Sequence, residues 1–194
     1  GRFSRENLSL DKLPLIFSAI AVFAAGTLTL VAYDLGRHSM HMALHIAGSG
    51  PELEAVRAYV EQRAVPNVVF EGDVSGARKA ELLPRTHVML LPTFHGEGLP
   101  NCILEGMLFG LAIVTRPVAA IPEIVKHEVN GLLDESLDAA AFAAALGALV
   151  EDPGMLRRMA IANRDVAVRR FTPSIVRERL TAIYTAMVRG PCAV

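Results

Sequence analysis

Tryptophan is absent from this sequence, and aromatic residues make up only 6% of its 194 residues. Stacking of bases or sugars on aromatic side chains is therefore not the expected mode of recognition. The only cysteines, Cys102 and Cys192, lie far apart and without metal-ligand spacing, which argues against a disulfide framework or a zinc site and favours a reducing compartment. A formal net charge of −1 argues against the broad basic surface of a nucleic-acid binder.

Charged residues are also missing from Leu13 to Tyr33. A membrane span needs ~20 apolar residues, so length alone would allow one. Proline, glycine and threonine interrupt the run, however, and its pattern changes midway. Residues 13–25 predict a buried helix, whereas 27–33 alternate like a strand. We expect buried globular structure here, with a membrane-facing segment as the alternative, and no secretory signal.

From residue 42 onward, short apolar runs alternate with amphipathic stretches. The pattern predicts strands at 42–48, 67–72, 87–93, 111–116 and briefly at 131–135, and helices at 51–64, 75–86, 101–110 and 121–131. Prolines at 153 and 173 divide the remainder into three further helices. Such alternation indicates βαβ units, and right-handed crossovers make an α/β, doubly wound, Rossmann-like parallel sheet with helices on both faces. We expect one domain spanning 1–194.

In a doubly wound sheet the ligand lies beyond the carboxyl ends of the strands. Four loops should therefore matter: 48–51, 72–75, 93–100 and 116–122. In the first, Gly48 and Gly50 stand between a strand and a helix start, where backbone amides could cradle an anion. A glycine turn without any ligand is the alternative.

The third loop carries the sequence HGEGLPN from His95 to Asn101. Its glycines would let backbone approach a ligand closely, and a helix beginning near Pro100 would aim unpaired N–H groups at the same place. A diphosphate would be stabilised there without a basic side chain. Glu97 could accept hydrogen bonds from sugar hydroxyls, with a solvated loop residue as the alternative. His95 is interpreted as a polar residue lining the site rather than as a catalytic group.

Glu105, in the following helix, either meets the ligand or only complements the helix dipole. The run E-G-L-P-N-x-x-L-E, from Glu97 to Glu105, resembles the paired-glutamate motif of retaining nucleotide-sugar glycosyltransferases with the GT-B fold. The resemblance extends over most of the chain, and the segments that carry it are 44–56, 67–74, 88–133 and 151–171. It implies the C-terminal, donor-binding domain of a group 1 glycosyltransferase, in which 172–194 form a helix that crosses to an N-terminal acceptor-binding domain.

The resemblance also implies a role for each matching position. Glu97 would be the catalytic-site residue that holds hydroxyls of the donor sugar, while Glu105 would bind the ribose hydroxyls. The amides of Gly98 and Leu99, just before Pro100, would face the sugar or its phosphates. The backbone around Val74 would meet the base. The donor would be a UDP- or GDP-linked sugar, and such enzymes need neither a bound metal nor a cofactor.

Two departures from the family pattern concern the first residues. The family opens this domain with Gly-Arg and then Lys-Gly, whose basic side chains grip the diphosphate. Gly1 and Arg2 fit, but Asn7 and Leu8 stand where Lys and Gly are expected. The strand expected before Gly1 is missing, and we hypothesise that residues 27–33 fill its place in the sheet.

The implied activity is transfer of a sugar from a nucleotide donor, with retention, in cell-surface glycan or glycolipid synthesis. The expected location is the cytoplasm, with the inner face of the membrane as a variant. The chain alone should bind donor but transfer inefficiently, because the acceptor-binding domain is missing. Asn7 leaves open a non-catalytic nucleotide-sugar-binding module, and the glutamate pair leaves a glycosidase as a third reading. Arginines of the late helices give a basic face that is either solvated or drawn to membrane lipid.

Overall fold

The structure is a computed structural model that describes residues 42–93, 98–136 and 138–189, together with the backbone of 17–22. Six strands form one sheet, and every pairing between neighbours is parallel. The strands are β1 (Phe17–Val22), β2 (Met42–Ala47), β3 (Val68–Gly72), β4 (Val88–Leu91), β5 (Ala112–Thr115) and β6 (Gly131–Leu133). Their order is β3-β2-β1-β4-β5-β6, which is the order of a doubly wound nucleotide-binding sheet. The direction of winding therefore reverses between β1 and β4.

Seven α-helices lie in the described part of the chain, in addition to a 3₁₀ turn at Leu83–Arg85. They are α1 (Leu53–Gln62), α2 (Gly76–Leu82), α3 (Asn101–Leu108), α4 (Ile121–Ile124), α5 (Ala139–Glu151), α6 (Pro153–Arg170) and α7 (Pro173–Arg189). Aspartates start two of them: Asp138 accepts a hydrogen bond from the Ala140 N–H, and Asp152 accepts one from the Met155 N–H. Carboxylates at these positions pair with amides that the helix itself leaves unsatisfied.

Alternate residues of the strands enter two separate cores. On one face, Leu90 and Val114 pack with Phe142 of α5 and with Val56 of α1. On the other face, Met89 and Ile113 pack with side chains of α2, α3 and α4. Strands β4 and β5 are buried on both faces, as expected for the centre of a parallel sheet. The predicted doubly wound fold with helices on both faces is confirmed.

Strand β1 corrects two predictions about the N-terminal apolar run. Residues 17–22 are a strand, so the helix predicted over 13–25 is wrong there. This strand pairs with both β2 and β4, and it therefore occupies the place that we assigned to residues 27–33, which lie outside the described residues. A strand with neighbours on both sides is apolar on both faces, so its sequence is a continuous apolar run. The periodicity of such a short run does not distinguish a strand from a buried helix.

The other predicted elements agree with the structure to within about two residues at each end, with two exceptions. The helix predicted over 75–86 ends as an α-helix at Leu82 and continues as a 3₁₀ turn over Leu83–Arg85. The helix predicted over 121–131 stops at Ile124. The Asn130 side chain accepts a hydrogen bond from the Lys126 N–H at 2.6 Å and donates one to the Ile124 carbonyl at 3.0 Å. Because asparagine satisfies these backbone groups in a turn, the helix does not continue.

No single helix within the described residues combines the length and the apolar composition needed to cross a membrane. The pair α5 and α6 meets that test only when taken together, with a bend of 99° at the break between them.

Candidate functional site

The loops after β2, β3, β4 and β5 all leave the carboxyl ends of their strands, which meet at one end of the sheet because these strands are parallel. We call this end of the sheet its ligand edge. The β4–α3 loop, residues 92–100, leaves this edge beside the switch point between β1 and β4. This is where ligands bind in open α/β sheets. Three of the predicted site residues, Arg2, His95 and Glu97, lie outside the described residues, and their roles stay predictions.

The glycine turn after β2 is tied to the neighbouring loop. Gly48 has a φ of 122° and donates its N–H to the Gly72 carbonyl at 2.7 Å. That amide is thus already used, and the predicted anion cradle would rest on the amides that follow it. The Gly50 carbonyl accepts from Leu53 at the start of α1, and Ser49 Oγ donates to Asp73 Oδ1 at 2.7 Å. The turn therefore holds the β2 and β3 loops together.

Helix α3 begins without a side-chain cap. Its N-cap residue is Pro100, which has no N–H and makes no capping hydrogen bond, and the chain enters it with φ −63° and ψ 128°. The Ile103 amide donates to the Pro100 carbonyl at 3.1 Å, which leaves the Asn101 and Cys102 amides without a carbonyl partner among the described residues. A Cβ atom on Gly98 would contact no described atom within 4 Å, so open space adjoins this backbone. Leu99 packs its side chain on a core, which leaves its backbone as the part available to a ligand.

Glu105 faces helix α2 rather than open solvent. Both of its carboxylate oxygens accept hydrogen bonds from Lys79 Nζ at 2.9 Å, and the two side chains are 39% and 35% exposed. The pair links α3 to the helix that follows Val74, so Glu105 lies on the side of α3 nearest the predicted base contact. Ion pairs this exposed contribute only about 0.2–1 kcal/mol, so the pair could be exchanged for a ligand. Lys79 was missed because nothing in the sequence relates positions 26 residues apart.

A second carboxylate anchors α2 to the sheet. Glu71 Oε1 lies 2.8 Å from His45 Nδ1, its Oε2 accepts from Arg78 Nη2 at 2.5 Å, and its side chain is only 5% exposed. Burial acts to raise the pKa of Glu71, but the hydrogen bonds from Arg78 and His45 outweigh it, so the pKa is lowered. Arg78 precedes Lys79, and this anchor therefore fixes the helix from which Lys79 reaches Glu105.

Arg116 is a further charged residue at the same edge. It directly follows β5, and its Nη2 and Nε donate to the Glu135 carbonyl at 2.7 and 3.3 Å. Its Nη1 reaches the carbonyl of Thr93, the second residue of the β4–α3 loop, at 3.5 Å. The predicted fourth ligand-side loop begins at this residue, but the sequence did not distinguish it from other surface arginines.

Cys102 lies in the first turn of α3 and is partly buried. Burial raises the pKa of its thiol, and the nearby Glu105 carboxylate acts in the same direction. The raised pKa favours the neutral thiol over the thiolate, which is the reactive form.

A parallel sheet with this order, a switch point between β1 and β4 and helices on both faces define a doubly wound, Rossmann-like α/β domain. The family model described as "Glycosyl transferases group 1" matches residues 20–152. The chain belongs to the glycosyl transferases group 1 family, and its fold is that of the C-terminal half of GT-B enzymes.

One curated relative and two solved structures illustrate the likeness. The chain is 28% identical over 197 residues to a candidate colanic acid biosynthesis glycosyltransferase of Escherichia coli, covering 96% of this chain and 48% of that protein. The Anabaena protein HepE, crystallised with UDP and glucose, matches 94% of this chain and 53% of its own with a TM-score of 0.76 and 17% identity. A C-terminal domain of the group 1 protein LpcC from Francisella tularensis matches 87% of this chain and 92% of its own with a TM-score of 0.72 and 16% identity. The chain thus spans about half the length of the curated relative.

Proposed function

We propose that the chain binds the donor in a sugar-transfer reaction, as the nucleotide-sugar-binding half of a retaining glycosyltransferase that acts in cell-surface glycan or glycolipid synthesis. The observation that carries the proposal is the start of α3 at the switch point, with Glu105 turned towards α2 and the Val74 loop. A diphosphate, a ribose and a base follow one another in a nucleotide in the same order as the α3 start, Glu105 and Val74. HepE, which shares the fold, was crystallised with UDP and glucose.

In this proposal the residues divide the donor between them. The amides near Gly98 and Leu99 and the dipole of α3 hold the diphosphate, which needs no metal or cofactor. Glu105 gives up part of its contact with Lys79 and accepts hydrogen bonds from the ribose hydroxyls. Glu97 holds hydroxyls of the sugar as the catalytic-site residue, Arg2 grips the diphosphate, and His95 lines the site.

The proposed chemistry needs charge stabilisation more than it needs a base. As the bond from the anomeric carbon to the phosphate oxygen breaks, negative charge grows on the departing diphosphate and the sugar becomes oxocarbenium-like. Preorganised N–H dipoles at the α3 start stabilise that charge without reorganising. The acceptor oxygen then bonds to the anomeric carbon on the face that the diphosphate leaves, while the diphosphate takes the proton of that hydroxyl, which gives retention.

The acceptor pocket would come from a separate N-terminal domain. Helix α7 suits a segment that crosses to such a domain, because it exposes Leu180, Ile183, Tyr184 and Met187 along its length. Exposed apolar side chains in this number usually mark a contact surface. The proposed location is the cytoplasm, with the arginines of α6 as the contact if the protein works at the inner face of the membrane.

Calorimetric titration of the chain with UDP, GDP and ADP tests donor binding. We expect micromolar binding of one of them and a loss of about tenfold or more in Glu105→Gln, because hydrogen bonds to a charged group contribute about 1.5–3 kcal/mol each. Glu61→Gln, an exposed glutamate of α1, is the matched control and should bind like the wild type. Absence of binding for all three nucleotides, or an unchanged affinity in Glu105→Gln, would refute the proposal.

Asn7 favours a second candidate, a nucleotide-sugar-binding module without transferase activity. Co-expressing the chain with the N-terminal half of a relative and assaying transfer separates the two. If the wild-type pair is inert and Asn7→Lys alone restores transfer, the module is correct.

A further inference from the structure

We propose that Arg116 binds the diphosphate of the donor. This inference rests on the proposed function, and it assigns to the phosphate subsite a basic side chain that the sequence did not identify. The cation lies at the carboxyl end of β5, on the same edge of the sheet as the start of α3.

The sheet register places Arg116 beside the β4–α3 loop. Thr115, the residue before it, pairs with Leu91, the last residue of β4, and Thr115 Oγ1 also donates to the Leu91 carbonyl at 2.7 Å. The guanidinium then reaches the Thr93 carbonyl in the loop itself. Helix α3 packs over β5 as well, since Ile103 and Ile113 share one core. The guanidinium therefore contacts the described beginning of the β4–α3 loop, and α3 packs on the strand that leads to Arg116.

Among the described residues, the hydrogen bonds of Arg116 leave its charge without an anionic partner. All of the partners are main-chain carbonyls, and no carboxylate of the described residues forms an ion pair with it. Lys79, another cation near this edge, is already paired with Glu105. Arg116 is also partly buried, and a partly buried cation without an anion is costly unless a ligand supplies one.

The guanidinium also has N–H donors that no described residue accepts. Of the five N–H groups that arginine carries, Nε and Nη2 each use one on Glu135, and Nη1 uses one on Thr93. Within the part of the chain that the structure describes, one N–H on each terminal nitrogen is therefore left without an acceptor. A phosphate group is the ligand that takes two parallel N–H donors from one guanidinium. The carbonyl bonds hold the planar group in place, so little side-chain entropy remains to be lost on binding.

The experiment compares a nucleoside diphosphate with its nucleoside in calorimetric titrations of the whole chain. The probes are UDP, GDP and ADP, each with the matching uridine, guanosine or adenosine. For the diphosphate that binds the wild type, Arg116→Met should weaken binding by about tenfold or more, because hydrogen bonds between charged groups are lost. Affinity for the nucleoside should stay unchanged. Arg116→Lys keeps the positive charge but loses the planar pair of N–H donors. Its affinity for the diphosphate should lie between those of the wild type and Arg116→Met.

Arg85→Met is the charge-matched control, since Arg85 is exposed after α2 and lies away from the edge. It should bind both probes like the wild type. Thermal unfolding identifies any variant that fails to fold, in which case Arg116→Lys and Arg116→Gln carry the comparison.

Two results would overturn the assignment while leaving donor binding intact. One is an unchanged diphosphate affinity in Arg116→Met when Glu105→Gln has lost it. The other is an equal loss for diphosphate and nucleoside, which a purely structural tie between Thr93 and Glu135 would produce. Failure of the wild type to bind any nucleotide would refute the proposed function itself, and the role of Arg116 with it.

Discussion

Asn163 of α6 should be among the most sensitive polar positions in the fold. Its side chain is fully buried, and Nδ2 donates to the Leu111 carbonyl at 2.7 Å and to the Asn130 carbonyl at 2.6 Å. This one side-chain amide therefore pairs with the carbonyl just before β5 and with the carbonyl just before β6. Asn163→Ala would leave two buried carbonyls without a partner.

The size of the effect follows from the same contacts. Each unsatisfied carbonyl costs about 1–3 kcal/mol, which gives a loss of about 2–6 kcal/mol for the two. The substitution also removes Asn163 Oδ1, a buried oxygen that has no hydrogen-bond partner among the described residues. Because that unsatisfied oxygen is no longer buried, the substitution recovers about 1–3 kcal/mol of the free energy of unfolding. We therefore expect a net loss of about 1–3 kcal/mol in the free energy of unfolding, or about 2–12 °C in Tm for a chain of this length.

Urea and thermal unfolding of the purified chain measure this loss. Asn163→Asp keeps the shape of the side chain but turns a charged oxygen towards both carbonyls, so at pH 7 it should lose more than the alanine variant. Ile161→Ala, on the exposed face of the same helix, should change stability by less than about 0.5 kcal/mol. The reasoning is wrong if the aspartate variant is as stable as the alanine variant, or if Asn163→Ala behaves like the Ile161 control.

The remaining predictions concern backbone conformation, packing and pH. Ala119 has a φ of 49°, so Ala119→Gly should stabilise the fold by up to about 1 kcal/mol in urea unfolding, whereas Ala120→Gly, at φ −85°, should destabilise it. A Cβ on Gly131 would lie 2.5 Å from a carbonyl oxygen of β5, so Gly131→Ala should lower Tm by a shift equivalent to about 1–3 kcal/mol; Gly147→Ala, with open space in α5, should raise it. The pKa of Glu71 is lowered by folding, so its contribution is complete above its ordinary pKa of 4.5 and is lost as the pH falls through the folded value. Glu71→Gln should therefore lower Tm at pH 7, and the difference from wild type should shrink on acidification; a difference that grows would contradict the assignment.

Most of the sheet could be predicted because its signals are local. Strands β2 to β5 are short apolar runs bounded by turns, and the prolines at 153 and 173 mark helix starts. Strand β1 could not be recognised, because an apolar run says nothing about which neighbours it will have. Its assignment depends on pairing with β2, about twenty-five residues away, and with β4, about seventy residues away.

Features of the candidate site could be predicted from the sequence only where they lie within one continuous segment of the chain. The start of α3 follows from the Gly98–Pro100 sequence, whereas the role of Glu105 comes from the resemblance to the family and stays a prediction. Contacts between segments were not predictable: Lys79 reaches Glu105 from another helix, and the Gly48 amide is used by β3. In each case the partner is chosen by the packing of elements, which the spacing of residues along the chain does not record.

Strand β1 joins two groups of strands that share no ladder hydrogen bonds with each other, β2–β3 on one side and β4–β6 on the other. The proposed base contact belongs to the first group, and the proposed phosphate contacts belong to the second. A nucleotide bound across the switch point would form a second connection between the two groups of strands. Separating the groups would then require the ligand to dissociate, so the ligand stabilises their association. Slower hydrogen exchange at the amides of β1 would then report occupancy, although that strand need not touch the nucleotide at all.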